Sequence, residues 1–178
     1  SYFHNGLYNE AIKEYKNSLK FAPHIDTYRR LGQAYYKIGD SKNAEIQYQK
    51  FIDMAQGYKE AMRASPGGLL ATNTLNVYVY LVYVYGQERN YDKVIALCNE
   101  GLNINPNYAS LLNSLADAYM NKGLYNEAMA AIEKALAINP NLAIAHSTYG
   151  EIYEKMGDYA KALGEFEKIK NDPKFRNY

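Results

Sequence analysis

The sequence predicts an all-α chain, a right-handed α-solenoid of stacked helix–turn–helix repeats. Three observations carry that expectation. The hexapeptide Gly-Leu-Tyr-Asn-Glu-Ala occurs at Gly6–Ala11 and again at Gly123–Ala128. The tetrapeptide Ile-Asn-Pro-Asn stands at Ile104–Asn107 and at Ile138–Asn141, a spacing of about 34 residues. Around these echoes, apolar residues recur at i, i+3, i+4 and i+7, one face of a helix, on both sides of a glycine. Self-similarity at a fixed period marks an array in which each repeat touches only its neighbours.

The whole chain, 1–178, reads as one such array. A partial repeat, 1–23, opens with the tail of a first helix (Tyr2, Phe3), turns at Gly6 and continues into a second helix carrying Ile12, Tyr15 and Leu19. The repeat 24–56 places Tyr28, Leu31, Gly32 and Tyr35 on one helix and Ala44, Tyr48 and Phe51 on the next, with Gly39 between. An insertion, 57–74, then adds roughly 16 residues to the period. It contains good helix formers over Tyr58–Ala64 and a break at Ser65-Pro66-Gly67-Gly68, so the preceding helix is expected to run on past Gln56. The insertion reads either as a spacer that adjusts the stacking or as a partner loop.

A divergent repeat, 75–107, follows. Its segment Val77–Tyr85 has the β-branched and aromatic content of a strand. Strict alternation fails at Leu81-Val82, and in repeat register Tyr78, Leu81, Val82 and Tyr85 fall on a buried helix stripe, so the expectation is helix. Val94, Cys98 and Gly101 continue its second helix, and Asn90 stands beside the missing turn glycine. The repeat 108–141 gives Leu112, Leu115, Ala116 and Tyr119, then Gly123, then Ala128, Ile132 and Ala135, closed by Pro140. The repeat 142–175 gives His146, Tyr149, Gly150 and Tyr153, then Gly157, then Ala162, Phe166 and Ile169. Small residues (Gly32, Ala116, Gly150) recur where paired helices have to approach closely.

This pattern resembles the tetratricopeptide repeat, W-x₂-L-G-x₂-Y…A-x₃-F…P over about 34 residues. Tyr28, Leu112 and His146 replace the opening Trp, and Leu31-Gly32 matches the motif literally. The resemblance implies a concave surface lined by the first helix of each pair, where a segment of another protein binds. The positions that would face it are Arg29, Arg30, Gln33 and Lys37, then Tyr80, Tyr83 and Gln87, then Asn113, Asp117 and Asn121, then Ser147, Glu151, Glu154 and Lys155. They run from basic through aromatic to mostly acidic, an order that could orient an extended peptide. The family's two-carboxylate clamp is not reproduced. Arg29, Gln33, Tyr83, Asn113 and Asp117 stand at its places, and Asp117 would repel a terminal carboxylate. Nor is the asparagine ladder of the sugar-transferase arrays, whose places hold Arg30, Tyr80, Ser114 and Thr148.

Composition narrows the function classes. With 22% charged residues and a net charge of +1, no global field draws the chain to nucleic acid or an anionic membrane. The longest apolar run, Val77–Tyr85, is too short to span a bilayer. One cysteine allows no internal disulfide, which tilts the expected compartment toward the cytoplasm. His4, His24 and His146 lie in different repeats without metal-ligand spacing, and His146 reads as a packed substitute for an aromatic residue. Cys98 falls on an apolar stripe as a structural thiol, and no glycine-rich phosphate loop is present. The expectation is a non-catalytic interaction scaffold without metal or cofactor. Its alternative is a docking or regulatory region excised from a larger enzyme or assembly factor, which a start at Ser1 rather than Met keeps open. Ile12, Tyr15 and Leu19, lacking a complete helix to cover them, are expected to promote self-association.

Overall fold

Four turns of this chain share one backbone design, set by a residue that leaves the right-handed helical region. Gly39, Gly123 and Gly157 take φ of 81°, 76° and 81°. The N–H of each following residue then reaches back to a helix carbonyl, Asp40 to Tyr35, Leu124 to Tyr119 and Asp158 to Tyr153, each at 2.9 Å. This closes the first helix of a pair and aims the chain into the second. The fourth turn has no glycine. Arg89 adopts φ 57° in its place, and Asn90 donates its N–H to the Tyr85 carbonyl at 2.9 Å. Asn90 itself caps the next helix, accepting from the Lys93 N–H through Oδ1 at 3.2 Å. The left-handed geometry thus falls on Arg89, one residue before the asparagine best suited to it. A side chain there costs about 1–2 kcal/mol. Arg89→Gly is therefore expected to stabilise the protein by about 1 kcal/mol, read as a higher denaturant midpoint at unchanged slope.

The computed structural model describes Phe3 and residues 6–172. The helices are α1 (Tyr8–Phe21), α2 (Ile25–Lys37), α3 (Ser41–Ala55), α4 (Lys59–Ala64), α5 (Leu69–Gln87), α6 (Tyr91–Ile104), α7 (Ala109–Asn121), α8 (Tyr125–Ile138), α9 (Ala143–Lys155) and α10 (Tyr159–Ile169). No strand occurs among the described residues, and Val77–Tyr85 lies wholly within α5. Tyr2, His4 and the end of the repeat 142–175 beyond Asp172 lie outside the described residues.

The chain divides into two compact units, one ending at Val84 and one beginning at Tyr85. In the first, α1 packs on α2 and α2 on α3. Leu31, Ala34, Tyr35, Tyr48 and Phe51 form its core, with Leu75, Tyr78 and Leu81 of α5 also buried. In the second, α6, α7, α8, α9 and α10 pack in succession, and α7 also meets α9. Leu111, Leu115, Ala116, Ile132, Ala135 and Ile152 fill that core.

Three expectations need correction. α3 ends at Ala55 rather than running past Gln56; a 3₁₀ turn over Gln56–Tyr58 leads into the separate short α4, which buries Met62. The residues added to the period are helical on both sides of the Ser65–Gly68 break, since α5 begins at Leu69. The apolar stripe of α1 does not stand open. Ile12 is buried, and Tyr15 and Leu19 are half-buried, because α1 lays that stripe on α2.

Candidate partner-binding faces

In the first unit, α2 carries Arg29 and Arg30 side by side and Lys37 about two turns further on. Arg29 Nη2 lies 2.6 Å from Asp26 Oδ1, and Arg30 Nε lies 2.5 Å from Asp26 Oδ2. Burial alone would raise the Asp26 carboxyl, but the hydrogen bonds from Arg30 and Arg29 outweigh it and hold the group below its ordinary range. One carboxylate therefore offsets part of the positive charge, and Arg29 keeps only 17% of its side chain exposed. Arg30, Gln33 and Lys37 are exposed.

The aromatic positions divide. Tyr83 is 59% exposed on α5. Tyr80, expected to be equally open, is half-buried. Its ring centroid lies 4.9 Å from Tyr36 and 4.6 Å from Tyr48, in edge-on and tilted contacts. Tyr36 is exposed and completes this aromatic shelf, a residue that sequence reasoning passes over. The Tyr35-Tyr36 doublet holds the clue: Tyr35 takes the core stripe, so its neighbour is turned about 100° away from it.

In the second unit, Gln87 is exposed at the end of α5. On α7, Asn113 and Asp117 are half-buried. Asn121 Nδ2 donates to the Asp117 carbonyl at 2.9 Å and to Asp117 Oδ1 at 3.1 Å, while Tyr91 donates to Asn121 Oδ1 at 3.2 Å. On α9, Ser147 is buried and donates to Glu151 Oε1 at 3.2 Å; Glu154 and Lys155 are exposed. Burial pushes the Asp117 and Glu151 carboxyls above their ordinary range, and the Asp117 charge adds to the effect on Glu151. An ionised carboxylate with a raised pKa destabilises the fold above that pKa, and the penalty vanishes as pH falls below the unfolded value of 3.8. Asp117→Asn keeps an acceptor for Asn121 and removes the charge. Its melting temperature is expected to exceed that of the native protein at pH 7, with the gain shrinking toward pH 3.

His146 is more than a packed ring. Its Nε2 donates to the Pro140 carbonyl at 2.8 Å, and its Nδ1 lies 2.7 Å from Glu165 Oε2, tying the loop before α9 to α10. Together with Lys168 and Ile169 it lines an open cavity of about 490 Å³. Cys98 is fully buried, which pushes its thiol up to about 12, far from a nucleophile's range. Among the described residues no cluster of His, Cys, Asp or Glu could hold a metal, and no helix is long and apolar enough to cross a membrane.

Comparison with known proteins follows the same repeats. Family models described as tetratricopeptide repeat match residues 25–64 and 148–174, and one described as TPR repeat matches 116–157. No curated protein matches the chain. Among solved structures, one of the protein MamA superposes with a TM-score of 0.76 at 24% identity, covering 99% of this chain and 95% of that one. MamA 41-end from Desulfovibrio magneticus RS-1 gives 0.74 at 16% identity, covering 99% and 92%. TTC0263, described as a thermophilic TPR protein in Thermus thermophilus, gives 0.59 at 20% identity, covering 98% and 89%. At these identities the likeness establishes the fold, an α-solenoid of helix–turn–helix repeats.

Proposed function

We propose that this chain, which belongs to the tetratricopeptide repeat family, is a non-catalytic scaffold that binds a segment of another protein on the faces formed by the first helices of its repeats. The observation that carries the reading is the aromatic shelf of the first unit. Tyr83 and Tyr36 stand open on α5 and α2, with Tyr80 packed between Tyr36 and the core residue Tyr48. Rigid, half-supported aromatic rings are the usual centres of binding energy at protein interfaces, because they bury much surface with little loss of side-chain freedom. Arg30 and Lys37 share a helix with Tyr36 and supply rim charge suited to an acidic stretch of partner.

A partner recovered by affinity capture should be tested by surface-binding kinetics against Tyr83→Ala and the double variant Arg30→Glu/Lys37→Glu. Tyr83→Ala should speed dissociation. The charge reversal should slow association and flatten its salt dependence. Native kinetics in both variants would place binding elsewhere and refute the reading.

A further inference from the structure

We propose that the outer face of α10, centred on Tyr159 and Leu163, docks an amphipathic helix of another polypeptide, one built like the first helix of a repeat. This surface is separate from the partner-binding faces above, and the inference goes beyond that reading. The second helices α1, α6, α8 and α10 each open on a tyrosine, followed four residues on by a long aliphatic side chain. Residues so spaced lie one turn apart on the same helix face. The pairs are Tyr8 with Ile12, Tyr91 with Ile95, Tyr125 with Met129 and Tyr159 with Leu163, the last three in step at 34 residues.

Among the described residues this pair is covered in α1, α6 and α8 and bare in α10. Ile12 is 8% exposed, and Tyr8, Tyr91, Ile95, Tyr125 and Met129 are half-buried. Tyr159 is 71% exposed and Leu163 60%. The two ends of the array identify the cover. α1 packs on the helix that follows it, α2, and its pair is covered; α10 packs on the helix that precedes it, α9, and its pair is bare. The cover is therefore the following helix, the place that α7 takes on α6 and α9 on α8. In α6 a hydrogen bond makes this direct. The Tyr91 hydroxyl donates to Asn121 Oδ1, in the last turn of α7, at 3.2 Å, and the next residue, Lys122, pairs with Asp92. Two large apolar side chains standing together in water mark a contact surface.

The covering helices define the chemistry of the occupant. α7 buries Leu111 and Ala118 completely, and α9 buries Ala145 and Ile152 completely. The members of each pair are seven residues apart. They stand one position, about 100°, before the stripe at Leu112 and Tyr119, or at His146 and Tyr153. A helix packed on two sides needs such a second apolar row. The docked helix therefore carries small or branched apolar residues at positions n and n+7. It also carries an acceptor at n+10, where Asn121 stands relative to Leu111, to receive the Tyr159 hydroxyl. Recognition is then of the helix-on-helix kind, with apolar anchors fixing the register.

The probe is the α7 segment as a free peptide, residues 107–122, acetylated and amidated, with Leu112→Lys and Tyr119→Lys to remove its other apolar stripe. Titrated into the full chain and followed by amide NMR shifts, it should bind saturably, with the largest shifts around Tyr159 and Leu163. Leu163→Glu, at a site open to water, should leave the thermal melt unchanged and weaken binding roughly tenfold or more, since an apolar contact is lost and a charge is buried. Tyr159→Phe should weaken it about threefold, the worth of one neutral hydrogen bond, and an Asn121→Ala peptide should bind the native and Tyr159→Phe proteins alike. Tyr83→Ala should leave this binding unchanged. Failure of the peptide to bind overturns the inference, as does binding that survives Leu163→Glu or shifts that centre elsewhere. If the native chain sediments as a dimer that Leu163→Glu dissociates, the face belongs to a second copy and the inference falls. If the peptide binds only after residues 173–178 are removed, the chain covers the face itself and the inference falls likewise.

Discussion

Gly150→Ala is expected to destabilise the protein by about 2 kcal/mol, although alanine is the better helix former. A Cβ at this position would lie 2.4 Å from Phe166 Cε1 and 2.8 Å from Cδ1 and Cζ. Those atoms belong to a ring set between α9 and α10, with no flexible end to swing aside. Forcing a methyl group into packed space costs about 1–3 kcal/mol and sometimes more, against about 1 kcal/mol regained from helix propensity. Gly164→Ala in α10 is the matched control, because nothing lies within 4 Å of its would-be Cβ. That substitution should raise stability by roughly 0.5–1 kcal/mol. In the double variant Gly150→Ala/Phe166→Leu the two costs should fall short of their sum, since the smaller side chain vacates the space the new methyl needs. Melting curves for the four proteins decide the matter. A Gly150→Ala variant as stable as Gly164→Ala would show that α9 and α10 stand farther apart than described.

The same close approach explains why so much of the fold is legible in the sequence. Leu31-Gly32 and Tyr149-Gly150 mark places where an aromatic ring of the second helix lies against the backbone of the first. At Gly32 the ring is Tyr48, 2.8 Å from a would-be Cβ. Such contacts recur at the repeat period, so register alone locates them, and it overrides strand propensity at Val77–Tyr85. Register also locates the turn that lacks a glycine: 34 residues before Gly123 stands Arg89, which takes the left-handed geometry while Asn90 caps the next helix.

The candidate faces are less legible, because a helical wheel gives the direction of a side chain and not what it meets. The wheel opens Tyr80 as it does Tyr83, yet Tyr36 and Tyr48 reach it from α2 and α3. Arg29 reads as free positive charge, but Asp26 lies three residues before it on the same helix face and binds it. Ile12 reads as open for want of a first helix, whereas α2 covers it from the other side.

Leu115→Ala should cost about 2–5 kcal/mol and Tyr83→Ala within roughly 1 kcal/mol. Leu115 is 7% exposed on the stripe that α7 turns toward the core of the second unit, so truncation leaves a cavity that the flanking Ala116 and Ala118, both fully buried, cannot fill. Tyr83 is the larger residue and would lose more atoms, but most of its surface already faces water. The ordering therefore tests burial against size. In a repeat array the loss at Leu115 is borne first by the helices that touch α7, namely α6, α8 and α9. Hydrogen exchange should show that region opening before the helices around Tyr83, and the denaturant transition should broaden as the repeats uncouple. Should Tyr83→Ala prove as damaging as Leu115→Ala, the ring of Tyr83 would be core, and the aromatic shelf would lose the open surface on which partner binding was argued.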